Sequence, residues 1–179
     1  TDSTDPSNTG IASATDNCDV NPAITFGDSV EQGACPQEST ITRTWTATDV
    51  CGNSSSCDQV ITVVDTTAPE ITCPADVTIE CDESTDTSNT GTASATDNCD
   101  VNPAITFGDS VASGTCPQES TITRTWTAID ECGNSSTCIQ VITVDDSTAP
   151  EITCPADVTI ECTDSTDPSN TGIASATDN

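Results

Sequence analysis

The chain is 179 residues long and sets 30 acidic side chains against two basic ones, with no histidine, for a formal charge of −28. A surface this negative repels polyphosphates and anionic lipid, which excludes nucleic-acid binding and argues against membrane insertion. Without His or Lys there is no imidazole base, no zincin motif and no Schiff-base amine, so only carboxylate pairs remain as catalytic candidates.

Apolar residues make up 32% of the chain, while Thr (35) and Ser (20) dominate it, so the core is thin and the backbone leans toward β-structure. Twelve cysteines are too many for a reducing cytosol and place the protein outside the cell or on its surface. They also expose an internal repeat. Cys18, Cys35, Cys51, Cys57, Cys73 and Cys81 return 81 residues later as Cys99, Cys116, Cys132, Cys138, Cys154 and Cys162, and residues 1–98 laid on 82–179 differ at 17 positions. Residues 163–179 begin a third copy, so the sequence reads as a window on a longer tandem array.

Taken in chain order, the first element is a module lacking its opening strands, residues 1–65. Asp65-Thr-Thr-Ala-Pro69 then combines turn formers with a proline that holds its predecessor extended, and reads as a linker. Residues 66–146 form one complete module. Its predicted strands are Glu70–Cys73, Val77–Cys81, Gly91–Thr96, Ala104–Asp109, Thr121–Ile129 and Cys138–Val144, separated by turn signals, and no amphipathic helix is predicted. Six or seven short strands in about 80 residues describe an all-β antiparallel sandwich. In the fifth strand alternation places Ile122, Arg124, Trp126 and Ala128 on one face and Thr121, Thr123, Thr125 and Thr127 on the other. Trp126 is thus the core aromatic. Arg124 points the same way, and a buried guanidinium demands a carboxylate partner, as does Arg43 in the first repeat. A second linker, Asp146-Ser-Thr-Ala-Pro150, leads into residues 147–179, the opening strands of a third module.

The runs Ala68-Pro-Glu-Ile-Thr-Cys-Pro74, Ala95-Thr-Asp-Asn-Cys99 and Thr125-Trp-Thr-Ala-Ile-Asp-Glu-Cys-Gly-Asn134 resemble, in that order, the hyalin-repeat (HYR) type of immunoglobulin-like module. They look most like the Cys-rich tandem versions in giant secreted surface proteins of Bacteroidetes. The resemblance implies tandem immunoglobulin-like sandwiches, adhesion or extracellular structure rather than catalysis, and a strand order in which the first and last strands are neighbours. Arg124 departs from the pattern, which more often has an apolar residue there.

Six cysteines per secreted repeat imply three disulfides, and zinc is disfavoured because Cys132 and Cys138 are too far apart for a ligand pair and no histidine exists. The adjacency expected of such sandwiches pairs Cys73 with Cys138 and Cys99 with Cys132, and leaves Cys81 for Cys116. The period carries the second of these to Cys18–Cys51, and Cys35 and Cys57 are left without partners in the chain.

The acidic loops pose the one cofactor question. Asp97, Asn98, Asp100 and Asn102 lie beside Cys99, and Asp130 and Asn134 flank Cys132; the first repeat has Asp16, Asn17, Asp19, Asp49 and Asn53 in the same places. Hard oxygen ligands brought to one pole suit Ca²⁺, and the linker acids Asp145 and Asp146 add to them from the module junction, although no EF-hand spacing is present and plain solvation is the competing explanation. No other cofactor is required. Asp28-Ser29-Val30 and Asp109-Ser110-Val111 look like bacterial O-glycan acceptors at Ser29 and Ser110. With neither cleft nor aromatic platform for a carboxylate pair, an enzyme is not expected. The leading expectation is a structural repeat of a long extracellular fibre or stalk, its modules joined head to tail or by strand donation, with neighbouring copies as partners; the alternative is a calcium-dependent adhesin that binds glycans or other cells.

Overall fold

A computed structural model of the chain describes residues 3–178. The elements in order are α1 (Pro6–Thr9), β1 (Ala23–Gln32), β2 (Ser39–Thr48), β3 (Ser54–Val63), β4 (Glu70–Thr72), β5 (Val77–Glu80), α2 (Thr87–Thr90), β6 (Ser94–Thr96), β7 (Ala104–Ser113), β8 (Ser120–Ile129), β9 (Ser135–Asp145), β10 (Glu151–Thr153), α3 (Pro168–Thr171) and β11 (Ser175–Thr177). The fold is all-β and immunoglobulin-like. In the first repeat β1-β2-β3 form an antiparallel meander; in the second, β5-β9-β8-β7 form a four-stranded sheet and β4-β6 a short ladder, which β10-β11 reproduce in the third.

Two compact units are distinguished. One takes residues up to Cys73 with 93–107 and 125–138; the other takes 74–92, 108–124 and 139 onward. In the first unit, alternation along β2 buries Ile41, Arg43 and Trp45. In the second, Ile79, Ile122, Ile142 and Val144 make a small aliphatic core, with Val77 and Cys81 packed against it. Trp126, only 2% exposed, stacks obliquely on Phe107 at 5.0 Å between ring centroids.

The inward arginines are the polar counterpart of so thin a core. Arg124 donates from Nε and Nη2 to the two carboxylate oxygens of Asp109, from Nη1 to the Thr90 hydroxyl and from Nη2 to the Thr85 carbonyl, all at 2.8–2.9 Å. Arg43 repeats every bond with Asp28, Thr9 and Thr4, and Asp28 is its direct cross-strand neighbour. A two-pronged guanidinium–carboxylate pair satisfies a charge that burial would otherwise penalise heavily. The guanidinium holds Asp28 and Asp109 below the usual carboxylate range.

These bonds also engage two of the three one-turn helices found among the described residues, which hydrophobic periodicity does not announce. Each follows an Asp and ends on a glycine at positive φ, near +100°, a conformation that favours glycine. The first two turns deliver Thr9 and Thr90 to the arginines. The third forms with no arginine to dock on, so the turn from Asp to glycine, closed by the glycine N–H, sets these helices without an apolar face.

β7 and β9 run further than predicted, because ladder partners extend strands past the point where apolar alternation fades. Identical sequence also takes different states. Val77-Thr-Ile-Glu80 pairs in parallel with Ile142–Asp145, whereas Val158-Thr-Ile-Glu161 carries no ladder. Ser94–Thr96 forms β6, while its copy Ser13–Thr15 is not a strand. Strand formation here follows the presence of a partner edge.

Two disulfides close. Cys73 bonds Cys138, joining the end of β4 to β9. Cys132 bonds Cys35, not Cys99, and so links the first repeat to the second. Cys18, Cys51, Cys81 and Cys116 are free thiols, so the pairings Cys18–Cys51 and Cys81–Cys116 are not formed, and Cys35 has its partner in the chain after all. The expectation failed because it treated each 81-residue unit as closed, whereas the Gly33–Glu38 turn, tied by Gly33 N–H to the Glu38 carbonyl, carries Cys35 to the next repeat's Cys132 loop.

Candidate metal centre

Three carboxylates from three separated segments converge in the first unit: Asp65 from the linker, Asp97 from the loop after β6, and Asp130 from the turn between β8 and β9. One oxygen from each lies within 4.8 Å of the others. Asp65 is 4% exposed and Asp130 6%. Oxygens that share a calcium ion at 2.3–2.6 Å stand at most about 5 Å apart, so the spacing fits one ion.

The local chain folds to aim these groups. Asp97 Oδ1 accepts the backbone N–H groups of Cys99 and Asp100, a turn that fixes the side chain and keeps its carboxyl below the ordinary range. Asp130 Oδ1 accepts the Asn134 N–H, and its Oδ2 accepts the Asn134 amide, which also donates to the Asp65 carbonyl. Asn134 therefore ties the linker to the turn through its amide nitrogen. Asp65 Oδ1 accepts from Thr67 N–H. What remains is informative: Asp65 Oδ2 and Asp97 Oδ2 are buried without a hydrogen-bond partner. A buried unpaired anionic oxygen is costly, and such groups are normally paired or bound to metal. The chain's two cations are both committed to Asp28 and Asp109, so no side chain can neutralise the cluster. A hard divalent cation of calcium's size fits the donor set.

Of the sequence-derived ligands, only Asp97 and Asp130 face this point. Asp100 spends Oδ1 on Asn102 N–H and Oδ2 on Glu131 N–H, and so ties the two loops together. Asn98 is exposed and turned to the Cys99 sulfur, while Asn102 enters through its backbone. The first repeat builds the same loops: Asp16 caps Cys18 and Asp19, Asp19 reaches Asn21 and Val50, and Asp49 holds Asn53. Asn17 stands exposed beside them. Among the described residues, this first set gathers no third carboxylate, and Asp16 is exposed where Asp97 is half-buried. Asp65 was the residue sequence reasoning missed. The signal available was its period: Asp146 occupies the same linker place 81 residues on, and its Oδ1 is likewise buried and unpartnered.

Ser29 and Ser110 are exposed on β1 and β7, each beside the Asp that pairs with an arginine. Among the described residues no helix is long and apolar enough to cross a membrane.

Residues 1–63 match the family model of the HYR-like domain with 4 cysteines. No curated protein matches the chain.

Proposed function

Because residues 1–63 are an HYR-like domain and the same sequence returns 81 residues on, we propose that this chain is a structural segment of an extracellular fibre or stalk whose modules are joined rigidly in series. The observation that carries the reading is the Cys35–Cys132 bond, a covalent tie between successive repeats whose Cys35 end is buried. A module built only to bind a ligand gains nothing from it; a load-bearing array does. The acidic cluster supports the same reading, since its carboxylates come from the linker and from the loops of the following repeat, and an ion there would tie that linker to those loops. Near-identical repeats multiply length, which suits a tether. Disulfides support an oxidising, extracellular setting.

The residues contribute mechanics, not chemistry. Asp65, Asp97 and Asp130 would hold Ca²⁺, which supplies charge neutralisation and directional oxygen coordination. Asn134 and the Asp97 turn keep the ligands oriented when the ion leaves.

Cryo-electron microscopy of the native material, with and without EDTA, tests the proposal. Regular filaments with an axial repeat are expected, softened but still continuous after chelation. Isolated, randomly oriented beads in calcium would overturn it and favour an adhesive module instead.

A further inference from the structure

All three carboxylates of the ion site hang on one turn. Asp130 opens the turn at 130–134, which closes through the Asp130 N–H on the Asn134 carbonyl and the Gly133 N–H on the Asp130 carbonyl. From this turn the Glu131 N–H donates to Asp100 Oδ2 at 3.2 Å, and the Asp100 N–H donates to Asp97 Oδ1 at 2.9 Å, so the loop that carries Asp97 is held to it. The Asn134 amide donates to the Asp65 carbonyl at 3.0 Å and holds the linker to it as well. A displacement of the turn therefore reaches every ligand.

The turn is itself moored from outside. Cys132, two residues past Asp130, is bonded to Cys35, which lies buried in the turn that the Gly33 N–H closes on the Glu38 carbonyl. Beside the bond the Gln37 amide donates to the Glu131 carboxylate at 3.1 Å. The corresponding turn at Asp49–Asn53 keeps the same bonds between its Asp and its Asn while Cys51 is a free thiol, so a disulfide is not what shapes such a turn. What the bond adds is position: a hairpin tip that carries ligands is tied to a buried point, and ligands already in place give up less freedom when the ion binds. We propose that the Cys35–Cys132 disulfide sets the calcium affinity of the Asp65, Asp97 and Asp130 site, which makes the joint a redox-sensitive calcium switch. The inference rests on the ion site that supports the serial-array reading and concerns its regulation.

The chemistry is thiol–disulfide exchange. Cys132 is half-buried while Cys35 is buried, so an external thiol meets the bond at Cys132. Two thiols of a reductant such as glutathione supply two electrons and two protons; the Cys35–Cys132 bond breaks to two thiols, and the reductant leaves as its own disulfide. The freed turn keeps its shape and loses its mooring. Its carboxylates then spread under a mutual repulsion that no cation of the chain offsets, since both arginines are committed elsewhere. Coupling of two equilibria is reciprocal, so calcium, by gathering the three carboxylates, holds Cys132 against Cys35 and makes the bond harder to reduce. Cys73–Cys138 joins the end of β4 to β9 and carries no ligand turn, which makes it the internal control.

The test titrates the full chain with calcium in competition with a chelating dye, as wild type and as the double variant Cys35→Ser, Cys132→Ser, which removes the bond and no ligand. The calcium Kd of the variant should rise about tenfold, inside the range of about 5–150-fold usual for coupled sites. An equal Kd overturns the coupling and leaves the ion site standing, whereas no binding by the oxidised wild type removes the site and the coupling with it. A second measurement needs no bond-breaking variant. Wild type is equilibrated in glutathione buffers of graded ratio with about 10 mM CaCl₂ or with EDTA, free thiols are alkylated, and the occupancy of each disulfide is read by mass spectrometry. Calcium should raise the reduced-to-oxidised glutathione ratio needed to half-reduce Cys35–Cys132 by about the same factor, shift Cys73–Cys138 much less, and lose this effect in Asp65→Asn. Equal shifts of the two bonds would mean general stabilisation of the fold, and a shift that survives Asp65→Asn would put the ion elsewhere; either overturns the proposal.

Discussion

Replacing Asp65 by Asn separates an ion site from a structural hydrogen bond. Asn keeps an oxygen for Thr67 N–H and nearly the same volume, but removes one of three charges gathered within 4.8 Å. Two unit charges at that spacing repel by about 1 kcal/mol in water and about 3 kcal/mol at an effective dielectric constant of 20. In EDTA, Asp65→Asn therefore stabilises the protein, by on the order of 5 °C in Tm at about 2–4 °C per kcal/mol for a chain of this size. In calcium at a hundred times its Kd, the wild type gains about 2.7 kcal/mol, or about 5–11 °C, and the variant loses most of that gain. The assay is differential scanning calorimetry at about 10 mM CaCl₂ and at 1 mM EDTA, in the range where extracellular calcium modules saturate. The expected signature is a crossing: variant above wild type without calcium, below it with calcium. A variant that melts lower by the same amount in both buffers would refute the ion site and leave Asp65 as a turn residue.

Arg124→Met removes four hydrogen bonds and leaves Asp109, 29% exposed, without its partner. Urea unfolding should show a loss of about 3 kcal/mol, the low end for breaking a buried pair because water reaches the carboxylate; a loss under about 1 kcal/mol would show the guanidinium to be solvated. Acid titration carries a defined sign. Asp16, Asp28, Asp49, Asp97 and Asp109 are held below their ordinary values, chiefly by hydrogen bonds to backbone N–H groups, the Asn53 amide or an arginine. The stability they add is complete above about pH 4 and is lost as pH falls through the lowered folded values, so thermal scans should stay level or rise from pH 7 to about 4 and fall below it. A decline that begins near pH 6 contradicts this. Cys132→Ser opens a loop with a sequence separation of 97, for which chain entropy gives about 4–5 kcal/mol. Its melting should drop by about 8–20 °C, and an unchanged Tm would mean that the bond ties repeats without stabilising either of them.

How far the fold was legible depends on which interactions set it. Alternation along Thr121–Ile129 sufficed to place Trp126 and Arg124 inward, because a period of two is a property of the strand itself. The need of a buried guanidinium for a carboxylate followed from its charge. Which carboxylate did not, since Asp109 becomes the partner only through the register of β7 on β8. The helical turns escaped notice because they present no apolar stripe. Cys35 was misassigned for a different reason: the period identifies equivalent positions but not whether a bond stays inside one repeat or crosses to the next. Asp65 escaped because the linker contribution was assigned to Asp145 and Asp146, the junction after these loops, and not to the junction one period earlier that the fold brings to them.

The separation of 97 between Cys35 and Cys132 exceeds the 81-residue period by 16. In an array that continues with the same bond, successive covalent loops overlap, and tension passes from one to the next through only those 16 residues of backbone. At about 3.5 Å per residue, a repeat pulled to its limit reaches about 55 Å, where an unlinked repeat of 81 residues would pay out about 280 Å. Such a strand behaves as chain-mail rather than rope: unfolding of any module lengthens it by one short link, and the covalent path remains unbroken.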